Sequence, residues 1–322
     1  MIRSIVRAAL LALACLHGSA WSQTFPTRTV RIIIPFPPGG TSDILARTLA
    51  QKLTEEWGQQ VIAENRPGAA GNVAAEFVAK QKGDPHVLLI NTVGTHAINP
   101  AIYPNLPFDP IKDFTLITNL VNLPTLLIVH PSVPATTAQE LIALAKSKPG
   151  RLTYSSAGSG SQPHLTAEIF KTMAGVDLLH VPYKGAGPQL IALVSGEVSV
   201  TFATAPAAVP LIKGGQARAI AVTSAERVGA LPDVPTLNEA ALPGYVAVGW
   251  NGLVAPAGIP KPIVDNIHGA VAKIYAMPDM RERLVSLAAE PAISTPEEFA
   301  ALIRSELVKW AKAVKDSGAK LD

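Results

Sequence analysis

The stretch Phe36-Pro37-Pro38-Gly39-Gly40-Thr41-Ser42-Asp43 offers backbone chemistry more than side-chain chemistry. Gly39 and Gly40 carry no Cβ, so their N–H groups can approach another molecule closely. Thr41 or Ser42 can cap the helix that follows, with Asp43 in its first turn. A helix start with bare N–H groups and a positive dipole end can hold an anion. The same residues also suit an ordinary strand–turn–helix corner that binds nothing. A second stretch, Ser156-Ala157-Gly158-Ser159-Gly160-Ser161, repeats the design, with Pro163 suited to the first turn of the next helix. Thr92-Val93-Gly94-Thr95-His96 follows a third apolar run and adds small hydroxyl groups.

The same residues also raise catalysis as a separate class of function. Ser159, with His164 nearby in sequence, raises a serine nucleophile. The nucleophile elbow needs Gly-x-Ser-x-Gly, and Gly158-Ser159-Gly160 is one residue too tight on each side. There are no paired carboxylates and no Walker sequence. Neither His96 nor His164 has a metal partner at i+4 or in an HxH arrangement, so no metal and no cofactor are expected. A secreted serine hydrolase stays as the enzymatic alternative to a binding protein. Arg66 and Lys184 sit in turns where a solvated or loop-bracing role competes with ligand contact. Tyr183 and Phe36 suit either pocket walls or core, and Trp250 either a cleft rim or plain burial.

The elements that must carry these loops alternate. Ile32 to Ile34 is β-branched and apolar, as a strand buried on both faces requires. Leu45, Leu49, Leu53 and Trp57 then form a helical stripe. A strand over 60–64, a helix over 73–80 and a strand over 87–90 continue the pattern. Such alternation predicts parallel sheets flanked by helices, with ligands at the carboxyl edge. From 99 to 110 a proline-rich surface loop is expected. A second α/β series runs from 137 to 223, including a helical stripe of Leu165, Ile169 and Met173 and loops ending near Tyr183 and at Ala203-Thr204. Long apolar stretches at 114–129 and 246–254 read as two crossings between lobes. They predict lobe 1 over 23–125 plus 246–322, with lobe 2 over 126–245 inserted, able to close by a hinge. The tail is helical, and Thr295-Pro296-Glu297-Glu298 is a clear cap.

Residues 1–22 read as a signal peptide: Arg3 and Arg7, an apolar run from Ala8 to Leu16, then Ala20-Trp21-Ser22 before a cleavage site at Gln23. Cys15, the only cysteine, lies inside it, and the lipobox position three residues earlier is Ala12 rather than Leu. The mature chain would hold no thiol, excluding disulfides and Cys-ligated metals. Its charge would fall from +3 to +1, since the segment carries Arg3 and Arg7 and no acid. No basic stripe for nucleic acid is present.

The motifs Pro35 to Asp43, Glu64 to Asn72, Gly94-Thr95-His96-Ala97-Ile98-Asn99-Pro100, His180-Val181-Pro182-Tyr183-Lys184-Gly185, Leu231 to Thr236 and Trp250 to Gly258 resemble, in order, those of the tripartite tricarboxylate transporter substrate-binding proteins, the Bug family. The resemblance covers residues 25–322. It implies a two-lobe, Venus-flytrap periplasmic receptor, expected as a monomer. Such receptors deliver a small carboxylate, a di- or tricarboxylate or an aromatic acid, to the membrane components of a transporter, and some serve sensors instead. By the same resemblance, backbone groups and waters at Pro38 to Asp43 hold the carboxylate, with help from Thr92 to Thr95, Ser156 to Ser161 and the turn from Ala203 to Pro206. Where many members read Phe-Asp-Asn, this chain has Phe202-Ala203-Thr204, which argues against an amino-acid ligand.

Overall fold

The computed structural model describes residues 25–183 and 185–318. The expected signal peptide and its cleavage site lie outside the described residues, as does Lys184.

Apolar, β-branched runs form two sheets. Val30–Ile34 (β1), Val61–Asn65 (β2), Val87–Thr92 (β3), Phe114–Leu123 (β4), Gly249–Pro256 (β10) and Glu290–Pro291 (β11) make the first, in the order β11-β4-β10-β3-β1-β2. Thr125–Val129 (β5), Thr153–Ser156 (β6), Leu179–Pro182 (β7), Val200–Thr204 (β8) and Arg218–Val222 (β9) make the second, in the order β7-β6-β8-β5-β9. β1 pairs in parallel with β2 and β3, and β6 with β7 and β8. β10 is antiparallel to β3 and β4, and β5 to β8 and β9. Each of these two reversed strands is the one that arrives from the other sheet. It starts at the edge where its neighbours end, so the crossing itself forces the reversal.

Helices cover both faces of the first sheet. Ile32, Ile34, Leu88 and Ile90 pack against Leu45, Leu49 and Leu53 of Thr41–Trp57 (α1) and Ile267, Val271 and Ile274 of Lys261–Ala276 (α9). Ile33 and Leu89 face Ala74 and Val78 of Asn72–Ala79 (α2) and Phe299 and Ile303 of Pro296–Ser317 (α11). Each fully buried Leu or Ile contributes about 1.5–3 kcal/mol. The second sheet carries Ala138–Ser147 (α4), Gln162–Ala174 (α5), Ala186–Val194 (α6) and Ala205–Lys213 (α7). Asn99–Ile102 (α3), Leu237–Ala240 (α8) and Pro278–Ser286 (α10) complete the set. α11 packs against α5 as well as β4, so one apolar cluster runs through both lobes.

Three local expectations need correction. Thr92 is still in β3, and 94–98 is a helical turn leading into α3, not an open loop. Met173 is exposed, and Phe170 takes the buried place on α5, because the core contacts the helix along a face shifted by one position. The N-cap of α1 is Gly40, not Thr41 or Ser42, and no side chain caps it.

Candidate functional site

The two crossings lie side by side. Only Pro124 separates β4 from β5, and Gly249 pairs with Leu123. Thr223 N–H donates to Thr125 O at 2.8 Å, and Ala247 N–H to Thr223 O at 2.9 Å. The carboxyl ends of β1, β3 and β4 therefore look across this junction toward the carboxyl ends of β6 and β8. Contacts bridge the gap. A Cβ at Gly160 would lie 2.7 Å from Ile102 Cδ1, and one at Gly249 would lie 3.9 Å from Gln162 Cδ.

In the first jaw, Pro38, Gly39 and Gly40 are exposed, while Phe36 and Thr41 are half-buried. Gly39 takes φ +92°, a conformation that only glycine adopts without strain. Asp43 is buried and braces the turn. Its carboxylate accepts from Gly39 N–H at 3.0 Å, Arg47 Nε at 3.0 Å and Asn65 Nδ2 at 2.9 Å. Burial alone would raise its pKa, but the hydrogen bonds from Arg47, Gly39 and Asn65 outweigh it and hold the carboxyl below its ordinary value. Ser42 Oγ accepts from Asn251 Nδ2 at 2.9 Å. The hydroxyl that could have capped the helix is thus turned inward. Asp43 N–H donates to Gly40 O, whereas the N–H groups of Gly40, Thr41 and Ser42 have no partner among the described residues.

The Thr92–Thr95 segment adjoins this jaw through Gly71, where a Cβ would meet Thr95 Cγ2 at 2.6 Å and Pro35 Cβ at 2.9 Å. Thr92 and Thr95 are buried and bonded mostly to each other: Thr92 N–H donates to Thr95 Oγ1 at 3.0 Å, and Thr95 Oγ1 to Thr92 O at 3.1 Å. Gly94 is half-buried between them. His96 sits against Phe114 with ring centroids 4.7 Å apart, fully buried, its pKa pushed by burial down to about 3. It is a core residue. Arg66 is committed too: it bonds Glu64 at 2.7 Å and stacks 3.7 Å above the Phe77 ring, which fixes the Asn65–Asn72 loop.

In the second jaw, Ser156 is buried, and Ala157 O accepts Gly185 N–H at 3.2 Å. Gly158 and Gly160 hold φ values of +128° and +74°. Ser159 and Ser161 are half-buried, and Ser161 Oγ is enclosed without a partner among the described residues, at the N-cap of α5. His164 is buried beneath the loop. Thr204 is the N-cap of α7, again with no side-chain cap. Ala203 packs into the lobe core, and Tyr183 turns away, its hydroxyl donating to Glu197 at 2.8 Å. Ala203 and Tyr183, like the buried Thr92, Thr95 and His164, do not present open side chains at the loop edge.

Sequence reasoning missed Asn251, Asn65, Gln162, Ile102 and His180. Asn251 and Asn65 could have been suspected as polar residues on apolar strands; Ile102 left no signal. Glu168, four residues after His164, stands 4.0 Å from His164 Nε2, which corrects the expectation that His164 has no such partner at i+4. Tyr154 Oη and Lys171 Nζ already bond that carboxylate, and no group of three or more metal-ligating side chains exists among the described residues. A cavity of about 430 Å³ lies elsewhere, between Thr136–Gln139 and Asp233–Ala240; its Arg227 and Glu239 bond each other at 3.0 Å. That pair is satisfied, and the cavity lies away from the loops.

The sequence profile of the tripartite tricarboxylate transporter family receptor matches residues 45–319. The chain belongs to this family. BugT of Bordetella pertussis, one member-like relative, is 31% identical over 97% of this chain and 96% of its own. A UPF0065 protein of Pseudomonas sp. strain P51 is 36% identical over 94% of this chain and 91% of its own. Among solved structures, Rpa4515 of R. palustris with adipate is 38% identical, covers 92% of this chain and 100% of its own, and superposes with a TM-score of 0.85. MatC of Rhodopseudomonas palustris with bound malate is 35% identical, covers 90% and 100%, and gives 0.79. The two-lobe fold is that of the periplasmic binding proteins. Membership in a receptor family, rather than any gap in the site, sets the hydrolase reading aside.

Proposed function

We propose that this tripartite tricarboxylate family receptor binds a small dicarboxylate between its lobes and passes it to the membrane components of a transporter. The observation that carries the reading is the bare start of α1, where three N–H groups have no partner among the described residues and no side chain caps the helix. α5, α6 and α7 of the other lobe also begin without side-chain caps. Helices starting at Thr137, Thr236 and Thr295 carry complete capping boxes, while α9 and α10, with Pro260 and Met277 at their N-caps, lack side-chain caps as well. An anion at each jaw would satisfy such ends, with waters bridging the remainder. The adipate and malate held by the two R. palustris relatives support the same ligand class. Ala203-Thr204 supplies no carboxylate for an ammonium, which disfavours amino acids. The lobes, 23–125 plus 246–322 and 126–245, close about the paired crossings, and the receptor works as a monomer in the periplasm.

Isothermal calorimetry against mono-, di- and tricarboxylates and aromatic acids tests the reading. Dicarboxylates are expected to bind tightest. A preference for aromatic monocarboxylates would remove the two-ended site, and no binding by any acid would remove the function.

A further inference from the structure

Two histidine rings lie face to face under the second-lobe loop. The centroids of His164 and His180 are 4.0 Å apart and the planes 4° from parallel, with Tyr154 stacked on His180 at 4.8 Å. Each ring holds part of the loop. His164 Nδ1 accepts Gly160 N–H at 3.0 Å. His180 Nε2 stands 2.6 Å from Ser156 Oγ, and that hydroxyl accepts Gly158 N–H at 3.2 Å. The two left-handed glycines are thereby tied, one directly and one through a serine, to imidazole rings, the side-chain group whose unperturbed pKa lies nearest neutral.

We propose that His164 and His180 are a positioning pair that shapes the ligand loop Ser156–Ser161, and that ligand affinity falls when the pair takes up a proton. The proposal rests on the reading of that loop as a ligand jaw. An Nδ1 that accepts a hydrogen bond carries no proton. Protonating it sets N–H against the Gly160 N–H and breaks the bond that shapes the loop. A charge on either ring also repels a second charge on its stacked neighbour, so the first proton decides the outcome. On its own helix His164 faces Glu168, 4.0 Å away, whose carboxylate is shared with Lys171 at 2.8 Å. From β6, Tyr154 Oη donates to the same carboxylate at 2.5 Å. Glu168 is thus already occupied and offers His164 only part of a counter-charge. On β7 the facing group is His180 itself.

The test compares the full chain with the double variant His164→Asn, His180→Gln. The first substitution puts an amide oxygen where Nδ1 stands, and the second puts an amide where Nε2 stands. Both keep the loop bonds and neither titrates. Calorimetry with adipate and malate between about pH 7.5 and pH 5 should show the wild type losing about tenfold or more in affinity. The double variant should lose about threefold or less, since the ligand's own ionisation is common to both. Equal pH profiles overturn the proposal. In parallel, the Gly160 amide resonance should titrate with pH in the wild type and stay fixed in the double variant. If neither acid binds at neutral pH, this resonance alone decides the pair: an amide that does not move overturns it.

Discussion

Gly40 has φ −80° and ψ 170°, and nothing lies within 4 Å of where its Cβ would point. The fold therefore tolerates Gly40→Val, while the branched carbons would stand over the bare N–H groups. Binding is expected to fall below detection by calorimetry, with the melting temperature moving by about 2 °C or less. Unchanged affinity would remove this loop from the site. His96 makes a different prediction, because it titrates in the unfolded chain but not in the core. Its folded pKa is near 3 against an ordinary 6.5, so the unfolded state takes up the proton first as pH falls. Stability is full above about pH 6.5 and declines toward pH 3, by at most about 1.4 kcal/mol per pH unit from this ring. His96→Leu should flatten that slope in thermal melts across acid pH and leave the pH profile of ligand affinity as it was.

Three helices, α4, α8 and α11, begin with complete capping boxes, and the other described helices begin without a side-chain cap. Thr295 accepts Glu298 N–H at 3.2 Å, and Glu298 returns the bond to Thr295 N–H at 2.9 Å. Such a box serves stability alone, so Thr295→Ala should cost about 1 kcal/mol in urea denaturation with no change in affinity. The starts of α1, α5, α6 and α7 forgo that stabilisation. On the proposed reading, a cap there would compete with the ligand for the same N–H groups. The capping box at Thr295 was legible because all its members are neighbours in sequence. The bare start of α1 was not, since Thr41 and Ser42 look like good caps until Ser42 is seen bonded to Asn251.

The same apolar cluster includes Ile33 and Val254 of the first sheet and Leu127, Tyr154 and Phe202 of the second, with Trp310 of α11 also buried in it. A core that continuous should melt as one unit despite the two lobes. Differential scanning calorimetry is expected to give a single transition, raised by ligand by about 2.7 kcal/mol of stability at a hundredfold excess over Kd. Two separate transitions would show that α11 does not couple the lobes. The crossing segments were legible as long apolar stretches, whereas the helix that joins the lobes on one side was not. Its apolar face predicts burial but does not say against which lobe.

By itself, the sequence determined two α/β series, two crossings and glycine loops at strand ends, because these follow from local period, β-branching and the absence of a Cβ. It also carried the family motifs. The tertiary structure decided which polar groups remain unpaired. Ser42 is claimed by Asn251 and Asp43 by Asn65. Tyr183 is drawn to Glu197, and His164 is stacked on His180. Each pairing joins residues on different elements, and no local pattern specifies which elements will meet. The loop at Pro38–Asp43 is held in shape by Asp43, and its bare N–H groups exist because the hydroxyl beside them was turned toward a distant strand.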